Sequence, residues 1–370
     1  MELSLWFREK NYFIKNRRLK IFNYRGNIHI HSVYSDGTGT IPEIAAAAED
    51  AGLDYIIIND HHHNRDTSEE GFYRGVAVLI ETELNKESNH YLAMGTKEAV
   101  PDYTDSPQKS IDAVEEQGGF GFLAHPFETG SPLISNGSAL PWKDWNVKGF
   151  HGIELWNYCS QWRGKALSVP EVVFWYLFSP HNPVKSGPPP ECLKKWDELT
   201  LERPIVAIGG SDNHAAFAKV GPKTVCVFPY EPIFHTVNTH IILPEPLSKE
   251  FKEAKKQILL ALREGRCYIS LDIYKSSGNF YFGACNQETE VPMGSEISLK
   301  GETYLKINAA GKKSTIRIIR DGQLITRRKD SFLLYKIKKP GTYRVEIYHH
   351  PPIGKPRPWI YSNPVYVKKK

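Results

Sequence analysis

Residues 55–64 read YIIINDHHHN. A short run of β-branched residues with no polar interruption has the pattern of a strand covered on both faces. It ends abruptly in Asn59, Asp60 and three histidines, which places titratable groups at the mouth of a buried sheet. The same arrangement recurs along the chain. GNIHIH (26–31), VAVLIETE (76–83), GFGFLAHP (119–126) and AIGGSDNH (207–214) are each apolar runs that finish on His, Glu or Asp. Strands are predicted over 26–31, 54–59, 76–83, 91–95, 119–125, 152–157, 205–211 and 224–228.

Helices fit between several of these. Residues 42–52 begin at Pro42, are rich in alanine and stop at Gly52, and 107–118 repeat that arrangement. Residues 248–265 start at Ser248, carry apolar residues at helical spacing (Phe251, Ala254, Ile258, Leu259, Leu262) and stop at Gly265. Repeated strand–helix units argue for an α/β barrel or a doubly wound sheet. Two long irregular stretches, 128–149 and 179–190, are expected to wall a pocket. Beyond Asp272 helical spacing disappears. TYLKINA, TIRIIRDG, FLLYKIK and TYRVEIY alternate between Gly, Pro and Asp-Gly turns, the pattern of a small antiparallel sandwich. The expected division is therefore 1–271 and 272–370.

The chain has 370 residues, 41% hydrophobic and 24% charged, with a net charge of +5, which is ordinary for a globular protein. No apolar run approaches the roughly 20 residues of a membrane helix, and the N-terminal stretch lacks the apolar core of a secretory signal. A cytoplasmic location is expected. The five cysteines are dispersed and form no C-x-x-C pair, which argues against a disulfide framework and a thiolate zinc site. Lys and Arg form no basic block, so no dedicated nucleic-acid binding is expected; the mild positive charge would favour a small anionic or ester substrate. The sequence leaves the oligomeric state open.

The chemistry resides in residues that fall at or near strand ends: His29, His31, Asp36, His61, Glu83, His90, His125, Asp212 and His214. Taken singly, H-x-H is a weak signal and Asp36 in S-D-G fits a simple turn. Their common placement is what counts, because α/β barrels carry their sites at the C-terminal ends of strands. Alternation puts His29 and His31 on one face. By the same rule Glu81 and Glu83 share a face, so the strand alone does not choose between them. Six imidazoles and three carboxylates exceed what a single catalytic ion takes, and nitrogen and oxygen donors without thiolate suit Mn, Zn or Fe. Two or three divalent ions are expected.

HIHSVYSDGT, IINDHH, ETELNKESNHYLAMG, LAHPF, GIELWN and GGSDNH stand in the order found in the PHP (polymerase and histidinol phosphatase) superfamily, and roughly residues 24 to 270 resemble that family. The resemblance implies a distorted seven-stranded β/α barrel with two or three Mn, Zn or Fe ions and hydrolysis of phosphate esters. Carried over by position, His29, His31, Glu83 and Asp212 would hold the first ion. Glu83, His90 and His125 would hold the second, and Asp36, His61 and His214 the third. The resemblance thus selects Glu83 over Glu81. Thr82 and Asn59 depart from the family pattern, where glycine and threonine are frequent. The C-terminal sandwich has a looser resemblance to carbamate hydrolases of the carbaryl type. A hydroxide held by Glu83 and its neighbouring ligands is the expected nucleophile, with His62, His63 or His181 as possible general acids. Arg65, Arg163 and Lys185 are options for binding an anionic group, and Trp156 and Trp162 for lining an apolar pocket. Alternative readings are a carbamate, carboxylic ester or amide hydrolase using the same site, and a non-catalytic accessory module.

Overall fold

The computed structural model describes residues 20–61, 67–134, 137–220, 222–311 and 314–369. In chain order the first strands are β1 (Phe22–Ile30), β2 (Tyr55–His61), β3 (Gly71–Tyr73), β4 (Val76–Leu84), β5 (Tyr91–Met94), β6 (Phe120–Leu123), β7 (Gly152–Asn157) and β8 (Val206–Gly210). Hydrogen bonding runs β1-β2-β4-β5-β6-β7-β8, and β3 pairs with β4. The segment after β8 returns to β1: Ser211 N donates to Ile28 O, Asn213 N to His29 O, and His31 N to Asn213 O. The run of seven strands therefore meets itself. All neighbours in it are parallel except β5, which is antiparallel to both β4 and β6.

The helices cover this sheet through apolar stripes. Helix α1 (Ile41–Asp50) opens at Thr40, whose backbone N donates to Glu43 at 2.8 Å. It packs Ile41, Ile44 and Ala48 on Ile30, Ile56, Ile58 and Val78. Helix α2 (Pro107–Glu116) buries Ile111 and Val114. Helices α3 (Tyr158–Lys165), α4 (Val169–Phe178) and α5 (Pro190–Glu202) follow β7. After α6 (Tyr230–Phe234) and α7 (Phe251–Arg263), Ile258, Ala261 and Leu262 of α7 seal the layer that holds Ile28, Ile57 and Ile208. Helix α7 starts later than the sequence suggests, because Glu250 rather than Ser248 accepts from the first free amides, those of Lys252 and Glu253.

Two expectations are corrected. The strand predicted at 224–228 is not part of the main sheet: β9 (Phe217–Val220) and β10 (Lys223–Cys226) form a separate two-stranded hairpin. The sheet instead continues from β1 through β11 (Val237–Leu243) and β12 (Cys267–Leu271), antiparallel strands that the apolar-run criterion passes over. VNTHIIL mixes polar residues into a strand that is buried throughout; Asn238 and His240 are satisfied there by side-chain hydrogen bonds.

The remaining strands are β13 (Phe280–Cys285), β14 (Glu290–Pro292), β15 (Glu296–Ser298), β16 (Tyr304–Ala309), β17 (Thr315–Arg320), β18 (Gln323–Lys329), β19 (Phe332–Lys336), β20 (Gly341–His349), β21 (Arg357–Ser362) and β22 (Val365–Lys368). Order β14-β13-β16-β19 makes one sheet, while β21 pairs with β12 and carries β20, β22 and β15 into the large sheet. The two pack over one core in which Phe282, Leu305 and Ile307 meet Ile316, Val345 and Ile360. Residues on either side of Asp272 thus share a hydrogen-bonded sheet.

Candidate metal centre

The rim where β1, β2, β4 and β8 end gathers the histidines and carboxylates. His61 closes β2, Glu83 lies near the end of β4, and Asp212 and His214 follow β8. His90 precedes its strand, as the predicted span 91–95 has it, and so stands at the opposite end of that strand from where the other strands carry their ligands. It reaches the same rim because β5 runs antiparallel, so the start of β5 lies beside the end of β4. At His29 the β1–β2 register shifts between Ile28 and Ile30. A bulge of this kind re-aims side chains: Ile28 and Ile30 pack into different apolar clusters although they are two residues apart. The backbone at His29 (φ 65°), His125 (φ 25°) and Asp212 (φ 53°) is left-handed. Such conformations cost energy in residues with a Cβ and concentrate at functional sites.

Four groups of side chains bring potential ligand atoms within 4.8 Å of one another: His29, Glu83 and His125; His29, His31 and Asp212; His61, Glu83 and His90; and His31, Asp36, His61 and His214. All nine residues singled out from the sequence take part. Glu83 is central. Its Oε2 lies 3.2 Å from His29 Nε2, 3.4 Å from His31 Nε2 and 3.4 Å from His61 Nδ1. Its Oε1 lies 2.8 Å from His90 Nδ1 and 3.4 Å from His125 Nε2. Glu81 is engaged elsewhere, accepting from Gly95 N at 2.8 Å and facing Lys255 Nζ at 3.3 Å. Asp212 Oδ1 is 3.4 Å from Nε2 of both His29 and His31, and Asp36 Oδ1 is 3.3 Å from His214 Nε2.

Three of the imidazoles have their second nitrogen committed as a donor. His29 Nδ1 faces both oxygens of Glu154 at 3.1 and 3.2 Å. His90 Nε2 faces the Lys86 carbonyl at 3.0 Å, and His214 Nδ1 the Asp212 carbonyl at 2.9 Å. These partners can only accept, so the proton sits on that side and the lone pair of the other nitrogen points at a carboxylate. Acceptor facing acceptor is repulsive unless a proton or a cation lies between. His29 Nε2, His31 Nε2 and His61 Nδ1, which lie 3.2–3.4 Å from Glu83 Oε2, are buried without a hydrogen-bond partner, whereas buried polar atoms are ordinarily satisfied. The donor set, its burial and these orphaned nitrogens fit divalent cations.

The electrostatics agree. Burial alone would raise the Glu83 and Asp212 carboxyls, but the surrounding imidazoles, His29 first, hold both well below the usual range. Burial would lower His125 and His214, yet contacts with Glu83 and Asp36 respectively lift each to about 9. Burial dominates at His61, which falls to about 4. Without cations the cluster neutralises its carboxylates with protons. Cations would displace those protons.

The sequence reading missed the groups that hold the ligands. Glu154, inside the quoted GIELWN, also accepts from His125 N and from Asn157 Nδ2 at 2.8 Å each, so one buried carboxylate orients two of the imidazole-bearing residues. Asp60 accepts from Ser32 N at 2.7 Å and from the hydroxyls of Ser32 and Ser35 at 2.5 Å, which fixes the turn leading to Asp36. Asn59, one of the departures from the family pattern, accepts from His29 N at 3.1 Å. The signal for Glu154 was available: a carboxylate in the middle of an apolar strand is costly unless paired.

A cavity of about 550 Å³ opens beside His125 and Glu154, and its walls include Glu128, Thr129, Ser186 and Pro188 from the two irregular stretches. Trp156 and Trp162 do not line it. Trp156 packs edge-on against Tyr361, and Trp162 sits between Trp175 and Phe228. His181 hydrogen-bonds Tyr158 and belongs to none of the four groups. Arg163 pairs with Glu128 at 2.8 Å, and Lys185 lies 3.3 Å from the Ser179 hydroxyl. His62, His63 and Arg65 lie outside the described residues. Among the described residues no helix is long and apolar enough to cross a membrane.

No family model matches the chain. An uncharacterized protein of Methanocaldococcus jannaschii is 26% identical over 117 residues, which are 28% of this chain and 68% of that relative. Among solved structures, a two-domain protein of Bacteroides vulgatus, described as containing a predicted PHP-like metal-dependent phosphoesterase, is 16% identical. That match covers 93% of this chain and 95% of the other, with a TM-score of 0.41. A provisionally assigned metal-dependent phosphoesterase of Bifidobacterium adolescentis is 17% identical over 54% of this chain and 89% of its own, with a TM-score of 0.32.

Proposed function

We propose that the chain is a PHP-type metal-dependent hydrolase that cleaves small phosphate mono- or diesters. In this reading residues 1–271 form a distorted seven-stranded β/α barrel and residues 272–370 a sandwich. The observation that carries the proposal is the set of three imidazoles, His29, His90 and His214, whose far nitrogens are committed as donors while their lone pairs face Glu83, Asp212 and Asp36. At each of these places a proton or a cation must lie between nitrogen and carboxylate, and a divalent ion would displace the proton. Two or three divalent ions, Mn, Zn or Fe, would be held by His29, His31, Asp36, His61, Glu83, His90, His125, Asp212 and His214. Bound there, such ions would supply a water of lowered pKa and polarisation of a phosphoryl or carbonyl oxygen.

The protein's own groups supply position. Glu83 offers both carboxylate oxygens to the cluster, and Glu154 keeps the His29 proton on Nδ1 so that Nε2 stays a ligand. The cavity beside His125 has the volume of a pocket for a small organic group. The test is a substrate panel on protein loaded with Mn, Zn or Fe. Aryl phosphates or bis-aryl phosphates are expected to turn over well above aryl carbamates and carboxylic esters, with Glu83→Gln inactive. Carbamate turnover far above phosphate would reassign the substrate class. Absence of hydrolysis across the panel, with metal bound, would contradict the enzyme reading.

A further inference from the structure

We infer that helix α4 is an interface between two copies of this chain. Its sequence, VPEVVFWYLF, is apolar almost all round, yet Trp175 is its only buried residue. Leu167 and Val169 at its start and Phe174, Tyr176, Leu177 and Phe178 along it are 56–73% exposed. At 100° per residue, the exposed positions from Tyr176 through Val169, Val173, Leu177 and Phe174 to Phe178 span about 200° of the circumference. The other side rests on the molecule through Trp175, which packs edge-on against Trp162 of α3, and through the half-buried Val172. Phe174 and Phe178 stack one turn apart with centroids 5.4 Å from each other, making a preformed aromatic ridge.

A helix apolar on every side belongs in a core, and single soluble chains rarely expose contiguous apolar patches beyond a few hundred Å². Three aromatic side chains of roughly 150–250 Å² each, 56–73% exposed, together with the exposed Leu167, Val169, Val173 and Leu177, make up a large part of the roughly 800 Å² that one partner contributes to a stable interface. Its composition selects the partner. A helix that lies on a membrane interleaves Lys or Arg on a polar face, whereas the only charged residue on α4 is Glu171. Nearly uncharged, aromatic-rich surfaces of this kind characterise obligate homodimers. A two-fold axis across the Phe174–Phe178 ridge would bury the arc against itself.

The experiment is sedimentation equilibrium of the full chain from about 1 to 100 μM, a range that spans specific association. Measurements would include the double variant Phe174→Glu/Phe178→Glu, a second variant Leu167→Glu/Val169→Glu, and thermal melts of all three. The expected result is a dimer for the wild type and association weakened at least about 100-fold in either folded variant. A wild type that is monomeric at 100 μM would overturn the inference, and so would a folded variant that dimerises like the wild type. A monomeric wild type that co-sediments with phosphatidylcholine/phosphatidylglycerol vesicles would overturn it in favour of a lipid surface.

Discussion

Glu83 and Glu154 show what one residue decides in this molecule. Glu83 puts its two oxygens within 2.8–3.4 Å of five imidazole nitrogens. Removing its charge should release bound metal and lower hydrolysis at least about 10³-fold. Glu154 touches no other carboxylate of the cluster, but fixes the tautomer of His29 and the backbone of His125. Glu154→Gln should fold, as judged by circular dichroism, and bind metal about 10–100-fold more weakly in an equilibrium competition with a chelator dye. Unchanged affinity would remove Glu154 from the account. Eight of the nine titratable residues were legible because each ends or flanks an apolar run; Asp36, in the turn S-D-G, was legible only through the family resemblance. Glu154 and Asp60 were not, because their contribution depends on which backbone amides and ring nitrogens the fold brings against them; Asn59 stood out as a departure from the family pattern, but its bond to His29 N did not. Alternation puts Glu81 and Glu83 on one face and leaves the choice open; the family resemblance selects Glu83, and the positions of Lys255 and the Gly95 amide show where Glu81 is engaged instead.

At the scale of elements, the meeting of β8 with β1 brings Asp212 and His214 to His29 and His31. The approach is close at Gly210, where a Cβ would come within 2.5 Å of Glu154 Oε1 and 2.6 Å of the Ile28 carbonyl. Gly210→Ala should therefore destabilise the protein by about 1–3 kcal/mol, as overpacking does, and should also weaken metal binding because it displaces Glu154. Urea titration and the same competition assay measure the two effects. An alanine variant as stable as the wild type would show that the ends of these strands are looser than described. The parallel strands could be read from β-branched runs. The antiparallel turn of β5 could not, since four residues, YLAM, carry no sign of direction. Strands β11 and β12 escaped for the opposite reason, because polar residues buried with partners look like solvent-facing ones in a sequence. The hairpin of β9 and β10 attracted a strand prediction correctly in kind but wrongly in place.

Across the whole molecule, β12 and β21 join the two halves, and a buried cluster lies at that joint. The His240 ring bridges Asn23 Oδ1 at 2.9 Å and Asp272 Oδ2 at 3.0 Å, and Ser277 donates to Asp272 at 3.0 Å. Burial alone would raise the Asp272 carboxyl. The His240 ring and the hydrogen bond from Asn238 outweigh it, and the group is held below its ordinary value. A depressed carboxyl stabilises the fold above its unfolded pKa of about 4, and that stabilisation is lost as pH falls through the folded value. Thermal melts from pH 7 to pH 3 should show this loss in the wild type. Asp272→Asn should be about 3–5 kcal/mol less stable at neutral pH and correspondingly less sensitive to acid. The division of character near Asp272 could be read from composition, but the shared sheet could not, because it pairs residues about 90 positions apart. The claim on which the rest depends is that the rim of the seven strands is a polynuclear cation site. Elemental analysis of protein purified without chelators and exhaustively dialysed tests it most directly. Two or three Mn, Zn or Fe ions per chain, falling below one in Glu83→Gln, is the predicted result; less than one ion in the wild type, or equal content in the variant, would contradict it.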